Sequence, residues 1–243
     1  MLSTINRSML TTVAKGLDYL LKDMVFVGGA IPELYVSAGR EIVEVRQTED
    51  IDCIVEITGR TQYAILEEQL RALKFVNDQK VICRWHYKNI IVDVMPTDKR
   101  ILGFSNPWYK QGFSHTLSYP LEQNLSIQIL PLPFFIACKL EALFNRGIKD
   151  LRLSKDWEDL VFLINHVDKI EEKINSSVHN VRSFIKNKFS ELLVRPQVYE
   201  SIFCVLPLNE NESDNIVFVF EKMKKVAENE TETMKPFSGS STD

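Results

Sequence analysis

An α+β fold is what this 243-residue sequence predicts: a mixed sheet with flanking helices, followed by a C-terminal helical bundle. Three observations carry that reading. Short apolar runs with strand-like alternation recur up to about residue 130. Helical periodicity takes over after Pro131-Leu132-Pro133 and runs almost to residue 225. Such a change from mixed α/β to all-α character marks a boundary between structural units. The expected division is therefore 1–130, 131–226 and a polar, Gly/Ser-containing tail over 227–243 that has too few apolar residues to order itself.

The elements follow in order. Val13, Leu17, Leu20 and Leu21 form an i, i+4, i+7, i+8 stripe, which predicts an amphipathic helix over 7–22. Met24-Val25-Phe26-Val27 reads as a short buried strand, and Gly28-Gly29 as a tight turn. A second helix is expected over 30–38, with Pro32 in its first turn. Residues 41–46 read as a short strand or a connection. Residues 50–57 alternate, with Ile51, Cys53, Val55 and Ile57 on one face and Asp50, Asp52, Ile54 and Glu56 on the other. Leu66, Leu70 and Leu73 mark a helix over 61–74. Strands over 80–87 and 89–95 are joined by a turn at Tyr87-Lys88-Asn89, and Pro96 closes the second. Residues 97–124 are the least regular, and 125–130 alternate again as a last strand. Helices are expected over 133–146, 154–166, 168–190, 196–205 and 212–227.

Bulk properties exclude several classes. Apolar residues make up 45% and charged residues 26%, the balance of an ordinary globular protein rather than a disordered or fibrous one. A net charge of -4 gives no global attraction for nucleic acid, which leaves only local basic patches for that purpose. Cys53, Cys83, Cys138 and Cys204 form no Cys-x-x-Cys pair, so a reducing compartment with no disulfide framework is expected. The histidines at 86, 115, 166 and 179 lack zinc-ligand spacing. The longest strongly apolar run, 129–138, carries two prolines and is too short to span a bilayer. No signal-peptide core is present at the start, and a cytoplasmic location is expected.

Three acidic residues on two apolar strands carry the chemistry. Asp50 and Asp52 lie two apart on one strand, so their side chains leave the same face. Asp93, in Val92-Asp93-Val94, needs only sheet adjacency to join them. Carboxylates crowded together are costly unless a cation neutralises them, and Asp is a poor strand former. Asp-x-Asp alone is common on exposed strand edges. The glycine turn upstream and the third aspartate downstream turn it into a candidate Mg²⁺ site, with two ions expected beneath a nucleoside triphosphate. Gly28 and Gly29 would let backbone N–H groups approach phosphate oxygens. Neither a P-loop nor a dinucleotide fingerprint is present. Lys139, Ala142 and Arg146, at i, i+3 and i+7, share a helical face on which two cations could meet triphosphate charge across a small residue.

Taken together, Val27-Gly28-Gly29, Asp50-Ile51-Asp52 and Val92-Asp93-Val94 resemble the DNA-polymerase-β-like nucleotidyltransferase superfamily. Arg46-Gln47-Thr48-Glu49-Asp50-Ile51-Asp52 is similar to the Arg-x-Ser/Thr-x-Asp-hydrophobic-Asp motif of the AbiEii-type toxin nucleotidyltransferases. Lys139 to Arg146 resembles that family's Lys-x-x-Ala-x-x-x-Arg helix, and Asp156-Trp157-Glu158-Asp159-Leu160 its Asp-x-x-Asp-Leu motif. The matches span 25–163. The chain departs from the pattern after the glycines, where Ala30-Ile31-Pro32-Glu33-Leu34 replaces the usual small polar residue and Leu, and the Gly29-to-Asp50 interval is long.

The resemblance implies a nucleotidyltransferase-like sheet and an enzyme that moves a nucleoside monophosphate from an NTP to a hydroxyl, releasing pyrophosphate. Asp50, Asp52 and Asp93 would bind metal, with Asp93 also orienting or deprotonating the acceptor. Gly28, Gly29, Thr48 and Lys139 would hold the triphosphate, and Arg46 and Arg146 would brace the acidic cluster. Asp156 is favoured over Asp159 as the functional acid, either ion-paired to Lys139 or Arg146 or acting as a late base. A toxin-like role is implied, with RNA (the tRNA 3′ end) or a protein hydroxyl as acceptor, an antitoxin as partner and no membrane association. The alternatives are an antibiotic-type small-molecule nucleotidyltransferase, whose acceptor pocket would be acidic, and a non-catalytic nucleotide-binding module. Trp108, Tyr109 and His115 are either base-stacking residues or partial core.

Overall fold

The computed structural model describes residues 4–37, 46–206 and 212–228. Helix α1 (Ile5–Leu17) starts where Thr4 Oγ1 accepts a hydrogen bond from the Arg7 amide at 3.1 Å. It buries Leu10, Val13, Ala14 and Leu17 at helical spacing and ends at Asp18, whose φ of 48° breaks the helix. The next turn, Asp18–Asp23, is 3-10, so the expected 7–22 helix is shorter and tightens at its end. Strand β1 (Met24–Val27) is buried throughout. The second helix expected over 30–38 does not form. Two short 3-10 turns, Gly28–Ala30 and Pro32–Tyr35, take its place, and residues 38–45 lie outside the described residues, as does most of the expected 41–46 element. The physical reason is local: Gly28 has a positive φ of 79°, and Pro32 cannot donate the hydrogen bond that would tie it to the preceding turn.

Strand β2 (Asp50–Val55), helix α2 (Arg60–Ala72), strand β3 (Val76–Asn77), strand β4 (Arg84–Tyr87) and strand β5 (Ile90–Pro96) follow. Residues 80–83, expected as strand, are a turn in which Asp78 Oδ1 accepts from the Lys80 and Val81 amides at 2.7 and 2.9 Å. Short helices α3 (Lys99–Leu102) and α4 (Tyr109–Phe113) lie in the irregular region, which also contains an unexpected strand, β6 (Leu117–Glu122). Pro120 obscured it; β6 is the sheet's edge, where proline is tolerated. Strand β7 (Leu125–Ile129) completes a seven-stranded mixed sheet in the order β3-β4-β5-β2-β1-β7-β6. Strand β2 runs parallel to β5 and antiparallel to β1, and β1 runs parallel to β7.

Helix α5 (Leu132–Ala142) leads into a π turn, Leu143–Gly147, and Leu151–Leu153 form a 3-10 turn. Helix α6 (Lys155–His166) is capped by Ser154 Oγ, which accepts from the Trp157 amide at 3.3 Å, and buries Trp157, Leu160, Val161 and Ile164. The helix expected over 168–190 is two, α7 (Ile170–Asn175) and α8 (His179–Leu193), separated where Ser177 Oγ donates to the Ile174 carbonyl at 2.6 Å. Helices α9 (Val198–Val205) and α10 (Glu212–Ala227) end the described chain; nearly all of the expected 227–243 tail falls outside it. Buried apolar residues form one cluster running from Leu10 to Val226, with the sheet and α5, α6 and α8 all contributing. All four cysteines are unpaired. No described helix is long and apolar enough to cross a membrane.

Because β1 sits between β2 and β7, and Phe26 on it is fully buried, Phe26→Ala is expected to cost ~3–5 kcal/mol of stability. Urea unfolding followed by circular dichroism measures this directly.

Candidate active site

Register builds the site. Asp52 on β2 lies opposite Asp93 on β5 in the parallel pair, and opposite Val27, the last residue of β1, in the antiparallel pair. Asp50 is one pleat away on the same face. Ligand oxygens of Asp50, Asp52 and Asp93 all lie within 4.8 Å of one another. The sheet adjacency that the sequence reading required of Asp93 is therefore present.

The glycines close the other side. A methyl group added to Gly28 would overlap the Asp52 carboxylate, and one on Gly29 would overlap the Arg46 guanidinium and come within 3.2 Å of Thr48 Oγ1. Both positions need a bare backbone for packing as well as for the turn. Thr48 Oγ1 donates to Asp50 Oδ1 at 2.9 Å. The segment before β2 is clamped by Asn6 of α1. Asn6 Nδ2 donates to the Arg46 carbonyl at 2.9 Å, and its Oδ1 accepts from the Thr48 amide at 3.0 Å. Asn6 is buried. No sequence motif singles it out; only a polar residue on the core face of α1 hinted at it.

A chain of charges starts across the cleft from Asp52 and runs back to the Gly29 turn. Arg146 donates to both oxygens of Asp156, from Nε at 2.9 Å and Nη2 at 3.1 Å. Lys139 Nζ lies 3.4 Å from Asp156 and 2.6 Å from Asp159. Arg46 donates from Nη2 to both Asp159 oxygens, at 2.9 and 3.1 Å. The order is Arg146–Asp156–Lys139–Asp159–Arg46. Burial alone would raise the Asp156 pKa, but Lys139 and Arg146 outweigh it and hold the carboxyl below its ordinary value. Burial would likewise deprotonate Lys139, and Asp159 and Asp156 reverse that effect and raise its pKa. Lys139 stays charged, with Asp156 and Asp159 both engaged. Arg146 is exposed. The π turn at 143–147 rotates it away from a regular helical position, yet it still lines the cleft.

Arg46 and Arg146 thus brace Asp159 and Asp156 rather than the metal-site carboxylates. The cation that pairs with the trio is Arg84, which the sequence reading did not single out. Its Nε donates to Asp93 Oδ1 and its Nη2 to Asp93 Oδ2, both at 2.8 Å, and Nη2 lies 3.9 Å from Asp50 Oδ2. A signal for it existed. Lys88 and Asn89 both have positive φ, as a two-residue I′ turn demands, and that turn forces Arg84 opposite Asp93.

Between the two groups lies a cleft of about 360 Å³, lined by Gly28 and Asp52 on the sheet side and by Lys139, Ala142, Arg146 and Asp156 on the helical side. Tyr109 and Phe104 form part of its wall, whereas Trp108 packs on Phe184 and His115 stacks on Phe134, away from it. The Asp52 pKa is raised to about 7, first by burial and then by Asp50, with Asp93 adding to the rise and Lys139 and Arg146 opposing it. The trio is short of positive charge. Three oxygen donors with no sulfur or imidazole suit a hard divalent cation such as Mg²⁺.

No family model matches the chain, and no curated protein matches it. Two solved structures from Helicobacter pylori follow a similar chain path. One is a protein provisionally described as a nucleotidyltransferase, with 14% identity, a TM-score of 0.48, and coverage of 91% of this chain and 93% of that one. The other is JHP933, with 12% identity, a TM-score of 0.46, and coverage of 91% and 90%. At that distance the reading of the site stands on its own residues.

Two tests follow from this geometry. An aspartate whose folded pKa exceeds its unfolded value near 3.9 withdraws stability as pH rises, because the unfolded chain ionises first. For Asp52 the loss starts near the unfolded value and is complete above pH 7. Asp52→Asn is therefore expected to match wild type in urea unfolding below pH 4 and to exceed it by up to ~4 kcal/mol at pH 8. The second test compares glycines. Gly28 and Gly103 both have positive φ, but only Gly28 lacks room for a methyl group. Gly103→Ala should cost ~1–2 kcal/mol from backbone strain alone, and Gly28→Ala measurably more in the same denaturation assay.

Proposed function

We propose that this protein is an Mg²⁺-dependent nucleotidyltransferase that moves a nucleoside monophosphate from an NTP to a hydroxyl group. The observation that carries the reading is the convergence of Asp50, Asp52 and Asp93 beside a bare Gly28-Gly29 turn and across a cleft from Lys139 and Arg146. In this reading the acceptor oxygen attacks the α-phosphorus, the bond to the β-phosphate bridging oxygen breaks, and pyrophosphate leaves. The hydroxyl proton passes to a carboxylate of the trio. A bound divalent cation supplies charge neutralisation at the phosphates.

The residues divide the work. Asp50 and Asp52 hold the cation. Gly28 and Gly29 admit the phosphates to the backbone, and Thr48 fixes Asp50. Lys139 and Arg146 attract the triphosphate, Lys139 kept charged by Asp156 and Asp159. The division at residue 131 belongs to this proposal: residues 131–226 bring the cationic wall to the carboxylates. For the acceptor we favour a polyanion, RNA in particular. Exposed Lys99, Arg100 and Lys110 lie on the short helices flanking the Phe104–Tyr109 wall, with Asp98 the acidic residue beside Arg100 and Lys110. A toxin-like role with an antitoxin partner goes with that acceptor by the sequence resemblance.

Incubation with each α-labelled NTP plus total RNA, total protein and a polycationic aminoglycoside tests both reaction and acceptor. Label is expected in the RNA fraction. Label in the protein or aminoglycoside fraction instead moves the acceptor to that class, and NTP binding without pyrophosphate release makes the chain a binding module. Asp52→Ala should lower turnover at least ~10²-fold while keeping a folded circular dichroism spectrum.

A further inference from the structure

We infer that Arg84 is a built-in counter-cation that takes the place of a second metal ion at the acidic trio. The inference rests on the cation site proposed above and departs from the two ions expected of the sequence.

The geometry is an inventory of oxygens. Both oxygens of Asp93 accept from Arg84, each at 2.8 Å, in a side-on pair whose fork matches the carboxylate. One oxygen of Asp50 accepts from Thr48 at 2.9 Å. That leaves Asp50 Oδ2 and both oxygens of Asp52, for which the described residues offer no hydrogen-bond donor or ion-pair partner closer than the 3.9 Å between Asp50 Oδ2 and Arg84. Each Asp93 oxygen keeps a second lone pair, but a dication using it would sit beside a guanidinium charge. Local charge agrees with the inventory: with all three carboxylates ionised, one guanidinium and one dication balance them, before Lys139 and Arg146 across the cleft add further positive charge. Like-charge repulsion then disfavours another unless a nucleotide brings more negative charge.

Arg84 is held where it is by the fold and not by chance of rotamer. The I′ turn at Lys88-Asn89 fixes the β4–β5 register, which sets Arg84 directly across from Asp93, and Asp93 in turn lies across from Asp52. The three side chains form one row across three strands. Hydrogen bonding to Asp93 also raises the Arg84 pKa, so its charge is permanent.

Counting Mn²⁺ bound per chain in the absence of nucleotide, by electron paramagnetic resonance and calorimetry, tests this without any turnover. Wild type is expected to bind one ion, Asp52→Asn none, and Arg84→Met and Arg84→Gln two. The two Arg84 variants guard against a single misfolded protein, and circular dichroism confirms that each is folded. Two ions in wild type, or a count still at one in both folded Arg84 variants, overturns the role of Arg84 while leaving the cation site standing. No binding by wild type removes the cation site itself, and this inference with it.

Discussion

Three carboxylates of like charge within a few ångströms of each other are the constraint around which the rest of this molecule is arranged. The sheet compels their proximity: once β2 and β5 run parallel in register, Asp52 and Asp93 cannot separate without breaking the ladder. Repulsion of this kind is relieved only by positive charge, and the fold delivers it from two directions. Arg84 arrives along the sheet from β4. Lys139 and Arg146 arrive from above, on the first long helix after the last strand and the turn that follows it.

Those upper cations bring a difficulty of their own, since an ammonium as buried as that of Lys139 is expensive to keep charged. Helix α6 resolves it with two acids one turn apart. Asp156 serves the outer end of the chain and Asp159 the inner end, where Arg46 joins it and ties the helix to the turn containing Gly29. The same residues therefore have a packing role and an electrostatic one. Removing a single cation would leave its neighbours with one partner where they now have two, which is why these positions resist a clean separation of stability from function.

Much of this could be read in advance, and the parts that could not have identifiable causes. The strands carrying Asp50, Asp52 and Asp93 were legible because an acid in an apolar alternating run violates local preference for a reason. Lys139 and Arg146 were legible from helical spacing, although Arg146 falls in the π turn after α5, and Asp156 and Asp159 from the motif they resemble. The helix expected after the glycines failed because a positive φ at Gly28 and the proline at 32 outweigh apolar pattern over so short a span. Strand β6 was hidden by Pro120, which reads as a breaker unless the strand is known to be an edge. Asn6 and Arg84 escaped notice for a different reason. Each acts across a long or indirect separation that only register or packing reveals, although for Arg84 a two-residue turn contained the necessary arithmetic.

The wide turn at 143–147 has a consequence for how this chain can change over time. Such a turn is one residue more than a regular helix needs, so it stores a phase shift in chain length rather than in side-chain identity. Leu143 is locked in the core and Gly147 against Ser154, so substitution is free only at exposed Asn145, and Arg146 keeps its bearing through such a change. Loss of a single position would swing that guanidinium to a new heading and strand Asp156 without it. Lineages descended from this sequence should therefore tolerate drift at the letter in position 145 far better than any alteration in the number of letters around it.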